Sequence, residues 1–503
     1  MRERELEKLA EMINTSKTKG DLSPERNKLF ELLLKKIRII LPSSLTIPRR
    51  QVTSPCDLSD AQMAIWSEEQ AAPGNPALIL TAAIRMRGEV DEEALSLSLN
   101  DIISRHEILR TSFPIIDGKP VQAIAEWATV ELQLEDLTIL AQQQREQEAR
   151  RLASMEAKRG FDLELGPVIR AKLVRMSKQE RVFVVSLHHI VADGWSMGIF
   201  IRELAAFYES HTKGKEAKVE ELPVQYADYA VWQRERMKGE WYDKEVRYWR
   251  EKLVVEEGEA VREIEADRAR PAERKHRGAK VRQEMSERLR GEMKEASRRE
   301  AVTEYMMMMG GLKVLMSRYS GQEEVIVGTA VANRNQWEVG GSIGMYANTV
   351  IAKTDLRGNP EMREVIKRVR REVIEVLEHQ EVAYQKVVEE LREERDTSRE
   401  GMFGVMFVMQ SGGVREMEME GVEVEEMEIE EGVSKFDIKV EVKEKGRKVE
   451  VEIEYDEELY ERGTIERMMR HYEKVMEVII REPDRRLSDL PAHINRRGAR
   501  DEG

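Results

Sequence analysis

Between Val182 and Ser196 the chain passes without a break from an apolar run, through a short loop, into a helical pattern. The run Val182–Leu187 is interrupted only by Ser186 and reads as a buried strand. It leads to His188 and His189, three apolar residues, and then Asp193-Gly194, a turn signal. Helical periodicity begins near Ser196 and continues through Met197, Phe200, Leu204 and Phe207. A strand, a loop with two histidines and an aspartate, and a helix follow in direct succession. They mark a place for chemistry, because a strand fixes the position of side chains on the loop at its end.

Histidine is the side chain best suited to accepting or moving a proton near neutral pH. Asp193 is close enough in sequence to fold back and fix the loop, or to pair with a cation from elsewhere. Plainer readings stand beside these. Either histidine can be a core residue bonded to a backbone carbonyl, and Asp193-Gly194 can be a turn alone.

Composition narrows the class. At 503 residues the chain is too long for one compact core, so two or more lobes are expected. Cys56 is the only cysteine, which leaves no internal disulfide and no thiolate metal cluster. A net charge of −14 argues against nucleic acid as a general partner. No apolar run is long enough to span a bilayer, and the N-terminus lacks the apolar core of a secretion signal. No membrane partner and a cytoplasmic location are therefore expected.

The segment from His188 to Ser196 closely resembles the active-site motif of condensation domains of nonribosomal peptide synthetases, acyltransferases related to chloramphenicol acetyltransferase. The likeness extends along nearly the whole chain. Pro55–Trp66 is similar to the family's first motif, with Ala64 where an arginine is usual. Arg105–Phe113 matches the second, where His106 reads as structural among charged neighbours. Gln225–Gln233 matches the fourth. Gly344–Thr349 matches the fifth, with Lys353 in place of a usual arginine. His379-Gln380 with Lys386 and Leu391 resembles the sixth, and Arg395–Arg399 with Phe403–Gln410 the seventh. Residues 1–48 read as an N-terminal helical extension (Glu5–Ile13 and Pro24–Ile40 are amphipathic), either a plain extension or a docking element. Residues 49–224 read as a first lobe, 225–495 as a second, and 496–503 as a tail. Val414–Glu454 alternates apolar residues with Glu and Lys, a pattern for strands with one wet face. Tyr305–Gly311, with four consecutive methionines, reads as core filling within a helix.

The resemblance implies an α+β fold of two chloramphenicol acetyltransferase-like lobes in a V around a central cleft or tunnel. It implies that the α-amine of an acceptor aminoacyl thioester attacks a donor acyl or peptidyl thioester, each on the phosphopantetheine arm of a carrier protein. The implied partners are an upstream donor and a downstream acceptor peptidyl carrier protein, and an adenylation domain. No bound cofactor and no metal are implied, and transfer is direct, without an acyl-enzyme. His189 is expected to act as base or positioner and His188 to pack the loop. Asp193 is expected to hold the loop through an ion pair with Arg334. The Gly194 N–H is expected to face the intermediate oxygen, and Asn348 to donate a supporting hydrogen bond. Trp195-Ser196 following the motif favours condensation over epimerisation and resembles the subtype that couples two L-residues. Two other readings stay open: a free-standing acyltransferase acting on a soluble amine or alcohol, and a catalytically silent carrier-docking module.

Overall fold

Apolar β-branched runs separated by amphipathic helices build two large sheets and their covering helices, beside a small sheet of four short strands around Lys119–Ile124. The computed structural model describes residues 46–51, 55–253, 264–271, 277–391, 402–410, 417, 419–429, 432–445, 448–491 and 494. The expected helices Glu5–Ile13 and Pro24–Ile40, the segment Arg395–Arg399 and the tail lie outside the described residues. Residues 49–503 form one compact unit, distinct from residues 1–48.

In chain order the strands of the two large sheets are β1 (Ile79–Gly88), β2 (Leu132–Asp136), β3 (Ile169–Ser177), β4 (Glu180–His188), β5 (Gly278–Met285) and β6 (Glu324–Val331). They continue with β7 (Asn348–Asp355), β8 (Val405–Gln410), β9 (Val422–Glu426), β10 (Ile438–Lys445) and β11 (Lys448–Asp456). The helices of eight residues or more begin with α1 (Asp60–Ala71), α2 (Glu92–Arg105), α3 (Gln142–Lys158), α4 (Gly194–Lys213), α5 (Tyr226–Arg236) and α6 (Glu240–Leu253). The rest are α7 (Glu287–Arg299), α8 (Glu304–Ser320), α9 (Met362–Glu378), α10 (Tyr384–Leu391) and α11 (Arg462–Arg481).

The first sheet has the order β9-β1-β4-β3-β2. Its central strand β4 is buried throughout Val182–His188, which is why that run reads as apolar on both faces. Helix α3 covers one of those faces, setting Ala149, Leu152 and Ala153 against Val182 and Val184. The second sheet has the order β7-β6-β8-β10-β11-β5. Its apolar face packs against α7, α8 and α11 in one large core.

The stretch Val414–Glu454 departs from expectation in two ways. Its first described strand, β9, does not join the second sheet. It pairs antiparallel with β1 of the first sheet, Val422 opposite Gly88 and Glu426 opposite Ile84. The reason is topological. β8 and β10 are parallel neighbours and cannot be joined by a hairpin, so the chain between them must make an excursion, and it spends that excursion on the other sheet. The 224/225 division is therefore crossed by a strand of the second half. The expected wet face is the other departure. Glu441, Glu450, Glu452 and Glu454 are all buried, among Lys280, Arg282, Lys439 and Lys443. Burial works against charge on Glu452, but Lys280, Lys443 and Arg282 outweigh it and pull its carboxyl down to about 2.

Helix α8 is core, as its methionines indicate, with Met306 to Met309 all buried. The glycines that follow mark close helix contacts. A Cβ on Gly310 would stand 2.4 Å from Ile366 Cδ1, and one on Gly311 2.3 Å from Met476 Sδ, so α9 and α11 pack on the helix backbone itself.

Candidate active site

The end of β4 delivers the two histidines into different surroundings. His188 is the last ladder residue, opposite Ile79 of β1, and is 1% exposed. Its Nδ1 accepts the Ile190 N–H at 3.2 Å, which leaves the proton on Nε2, facing Glu69 Oε2 at 3.5 Å. Both nitrogens are committed, and Phe161 packs edge-on at 6.1 Å between ring centroids. His188 braces the loop.

His189 is half-buried, and its backbone N–H donates to Leu78 O at 2.7 Å. Its buried Nδ1 has no hydrogen-bond partner. Burial, followed by the nearby Lys435 ammonium, lowers its pKa to about 4. The ring is therefore a neutral imidazole at pH 7. An imidazole this weakly basic does not strip a proton from an ammonium of pKa about 8. It can accept an N–H hydrogen bond from a free amine, and it can take a proton once that nitrogen has bonded to carbon and become acidic.

Asp193 is the fastener of the loop. Rather than ending a separate turn, it caps α4, which starts at Gly194, two residues before the onset expected from periodicity. Oδ1 accepts the Ser196 N–H at 2.8 Å and lies 2.7 Å from Ser196 Oγ. Oδ2 accepts the backbone N–H groups of Tyr346 and Ala347 at 3.1 and 3.0 Å. Arg334 reaches Oδ1 with Nη2 at 3.2 Å, so the expected pair forms, with both side chains buried. The same guanidinium donates to the carbonyls of Val339 and Ser342 at 2.6 and 2.7 Å and lies 4.1 Å from the centre of the Tyr346 ring. Asp193 thus bonds the segment that follows β6 to the loop that follows β4.

The remaining expected residues divide. Ser196 is a hub, with Oγ accepting from Gly344 N–H at 3.1 Å and Arg334 Nη2 at 2.9 Å. Trp195 is 53% exposed and donates from Nε1 to Gly340 O at 3.2 Å. Gly194 is exposed at the first position of α4, with open space where a Cβ would stand. Asn348 does not serve the site. Its Nδ2 donates to Gln380 O and Val382 O at 2.8 and 2.6 Å, and its Oδ1 accepts from the N–H groups of Thr349 and Tyr384. Its amide is spent joining β7 to the chain before α10. His106 is fully buried, its Nε2 2.8 Å from Glu203 Oε2, in keeping with a structural reading. Lys353, at the arginine departure, lies 3.1 Å from Glu324 across the β6–β7 ladder.

Sequence reasoning did not single out Glu69, Tyr346 or Lys435. Glu69 had no distinct signal, since it follows Glu68 in a helix whose buried positions are Gln62, Ile65 and Glu69 itself. The backbone donors of Tyr346 and Ala347 had none, since any side chain can supply an N–H.

The condensation-domain family model matches residues 53–494. The chain belongs to the condensation domain family. One of the linear gramicidin synthase proteins from Brevibacillus parabrevis is 38% identical over 436 residues, 86% of this chain and 8% of that protein. Phosphinothricin tripeptide synthetase PhsC from Streptomyces viridochromogenes is 34% identical over 392 residues, 78% of this chain and 36% of that protein. The chain spans less than a tenth of each linear gramicidin synthase protein it matches. Among solved structures, the X-domain from teicoplanin biosynthesis superposes with a TM-score of 0.77 at 26% identity, covering 90% of this chain and 100% of that one. The first condensation domain of the CDA synthetase gives 0.72 at 16% identity, covering 88% and 100%, a likeness of fold. Among the described residues no helix is long and apolar enough to cross a membrane.

Proposed function

We propose that this condensation domain forms an amide bond between a donor acyl or peptidyl thioester and the α-amine of an acceptor aminoacyl thioester. Both substrates arrive on phosphopantetheine arms, through a cleft between two lobes set in a V. The partners are an upstream donor carrier, a downstream acceptor carrier and the adenylation domain that loads them, in the cytoplasm. The observation that carries this reading is the state of His189. It is a neutral, half-buried imidazole, its buried Nδ1 without a hydrogen-bond partner and its outer edge left for the substrate, on a loop fastened by Asp193, Ser196 and Arg334.

The amine nitrogen attacks the donor carbonyl carbon, and the C–N bond forms. His189 positions the neutral amine by accepting its N–H, then takes the proton that bond formation makes acidic. The C–S bond breaks, and the departing thiolate recovers that proton, so the donor arm leaves as a thiol. The Gly194 N–H, at the first turn of α4, is the donor available to the tetrahedral oxygen. Orientation of the two arms supplies much of the rate, because a free amine is already a good nucleophile.

The test is the mass of the product after mixing the protein with a set of aminoacyl donor and acceptor carriers. A dipeptide on the acceptor arm is expected, with turnover falling about 100-fold or more in His189→Ala, the order typical of a lost proton acceptor. Undiminished turnover in that variant rules out a role for the imidazole. Product formed only with a soluble amine or alcohol makes the protein a free-standing acyltransferase instead.

A further inference from the structure

The residue after His189 is gripped by side chains on both of its backbone polar groups. Ile190 is fully buried. Its N–H donates to His188 Nδ1 at 3.2 Å, and its carbonyl accepts from Gln62 Nε2 at 3.2 Å. The flanking amides go to the backbone, His189 N–H to Leu78 O at 2.7 Å and Val191 N–H to His188 O at 3.0 Å. Gln62 reaches the Ile190 carbonyl from the first turn of α1 and is itself 0% exposed. Its amide has one workable orientation. Oε1 accepts the Ser59 N–H at 3.0 Å, while Nε2 faces two oxygens, Ile190 O and, at 3.3 Å, Gln122 Oε1. Gln122, on the short strand Lys119–Ile124, is fixed in turn by donating from Nε2 to Asp57 O at 2.8 Å. The backbone N–H of Gln62 donates to Ser59 Oγ at 3.1 Å. Ser59 Oγ lies 2.7 Å from the Tyr226 hydroxyl, which donates to Met345 O at 2.7 Å. Gln62 thus belongs to one buried network with the segment whose next residue, Tyr346, bonds Asp193.

We propose that Gln62 is a positioning residue for the amide-forming step, its side-chain amide fixing the Ile190 carbonyl and through it the direction of the His189 ring. The inference rests on the function proposed above and names a residue that no step of it touches. The direction of a loop side chain follows the peptide planes beside it. The plane between His189 and Ile190 is held by His188, and the plane after Ile190 by Gln62 and the Val191 N–H. Without Gln62 the Ile190 carbonyl is a buried acceptor lacking its donor, and the plane turns to find one. A turn that moves the imidazole by about 1 Å costs on the order of 100-fold in rate, although both histidines are present. The amide is also the group this place demands. It takes the Ser59 N–H on one atom and gives to Ile190 O from the other, whereas an ionised carboxylate offers acceptors alone.

The experiment compares the unaltered protein with Gln62→Met, Gln62→Glu and Gln122→Met. Amide exchange is recorded without substrates, and kcat and KM for each loaded carrier are measured across the pH range of dipeptide formation. In Gln62→Met, exchange at Ile190 and Val191 should quicken while the amides of Val182–Leu187 hold. Its kcat should fall about 10-fold or more at every pH, with KM for both carriers within about twofold, since the arms bind elsewhere. Gln62→Glu keeps the shape, and burial favours its neutral acid, which donates to Ile190 O as the amide does. Its kcat relative to the unaltered protein should therefore climb as pH falls, to about threefold or more above that of Gln62→Met. The titratable groups tied to this cluster are His188, with Glu69 facing it, and Tyr226, whose phenol burial keeps un-ionised. They are common to all the variants. Gln122→Met takes away the other acceptor of Gln62 and leaves the Ile190 bond, so kcat should stay within about twofold even where stability drops. If Gln62→Met does not fold, the pH dependence of Gln62→Glu decides. Four results overturn the inference and leave the proposed function standing: an undiminished kcat in Gln62→Met, a loss carried by KM alone, identical losses in Gln62→Met and Gln62→Glu at every pH, or an equal loss of kcat in Gln122→Met. If the unaltered protein makes no dipeptide from any pair, the proposed function fails and takes this inference with it.

Discussion

A single buried lysine shows how strongly one residue of this chain can be held against its solution preference. Lys313 on α8 is fully buried, with Nζ donating to Thr354 Oγ1 at 2.6 Å and Ala352 O at 3.1 Å. Burial, opposed by the charge of Glu372, lowers its pKa to about 8. Between about pH 8 and the ordinary lysine value near 10.5 the unfolded chain therefore binds more protons than the folded one, and stability rises with pH across that window. Lys313→Met should remove that rise. It should also raise stability at pH 7 by about 1–3 kcal/mol, since the cost of burying an ammonium disappears. Denaturant midpoints of variant and parent at pH 7 and pH 10 check this, and a gap that does not narrow at pH 10 would contradict it. At the same scale, His188, His189 and Asp193 were legible in the sequence as titratable types in a distinctive pattern, and Arg334 through the family resemblance. Glu69 was not. The chain has 82 Lys and Arg residues and 96 Asp and Glu, and no spacing singles out the carboxylate that comes to face His188.

At the scale of elements, period and punctuation were sufficient wherever one element met one environment. β4 lies within two residues of the run that announced it, and α2 begins just after its Asp91 cap. The discrepancies arise where a neighbour changed the local balance. Asp193 draws the start of α4 forward by capping it, and the alternation of β10 and β11 hides ion pairs where water was expected. Helix α8 carries the sharpest conflict between local preference and packing. Alanine at Gly311 would favour the helix by roughly 1 kcal/mol, yet its methyl would meet Met476 Sδ, with Tyr472 Cε2 at 3.3 Å. Because both neighbours are buried, Gly311→Ala is expected to lose about 1–3 kcal/mol net, with an unchanged denaturant slope. Combining it with Met476→Ala should cost less than the sum of the two single variants, because the new methyl then occupies space the sulfur has left. Strict additivity would show that the glycine does not serve that contact.

On the scale of the whole molecule, the two large sheets are tied together by an added strand and by a buried ion pair, among other contacts. β9 adds a strand of the second half to the first sheet, and the Asp193–Arg334 joint ties the loop after β4 to the segment after β6. The second joint was foreseeable from the family resemblance, whereas the first was not, because a period-two pattern records which face is buried and never which sheet is joined. The Asp193 joint makes the active loop depend on contacts about 140 to 150 residues away in sequence. Removing the cation alone leaves a buried carboxylate with only neutral donors, and breaking a buried pair from one side typically costs about 3–5 kcal/mol. Arg334→Met should therefore destabilise the protein by that order. Faster amide exchange is expected at Tyr346, Ala347 and Ser196, whose N–H groups all point at Asp193. Dipeptide formation should fall about 10-fold or more even though both histidines are intact, since small displacements of a positioned group are costly to rate. Asp193→Asn combined with Arg334→Met discharges both partners and should recover part of the stability without recovering turnover, as the amide cannot accept on both sides of the joint. Turnover at the parental level in Arg334→Met, with exchange at these three amides unchanged, would show that the loop after β4 holds its geometry without the second half.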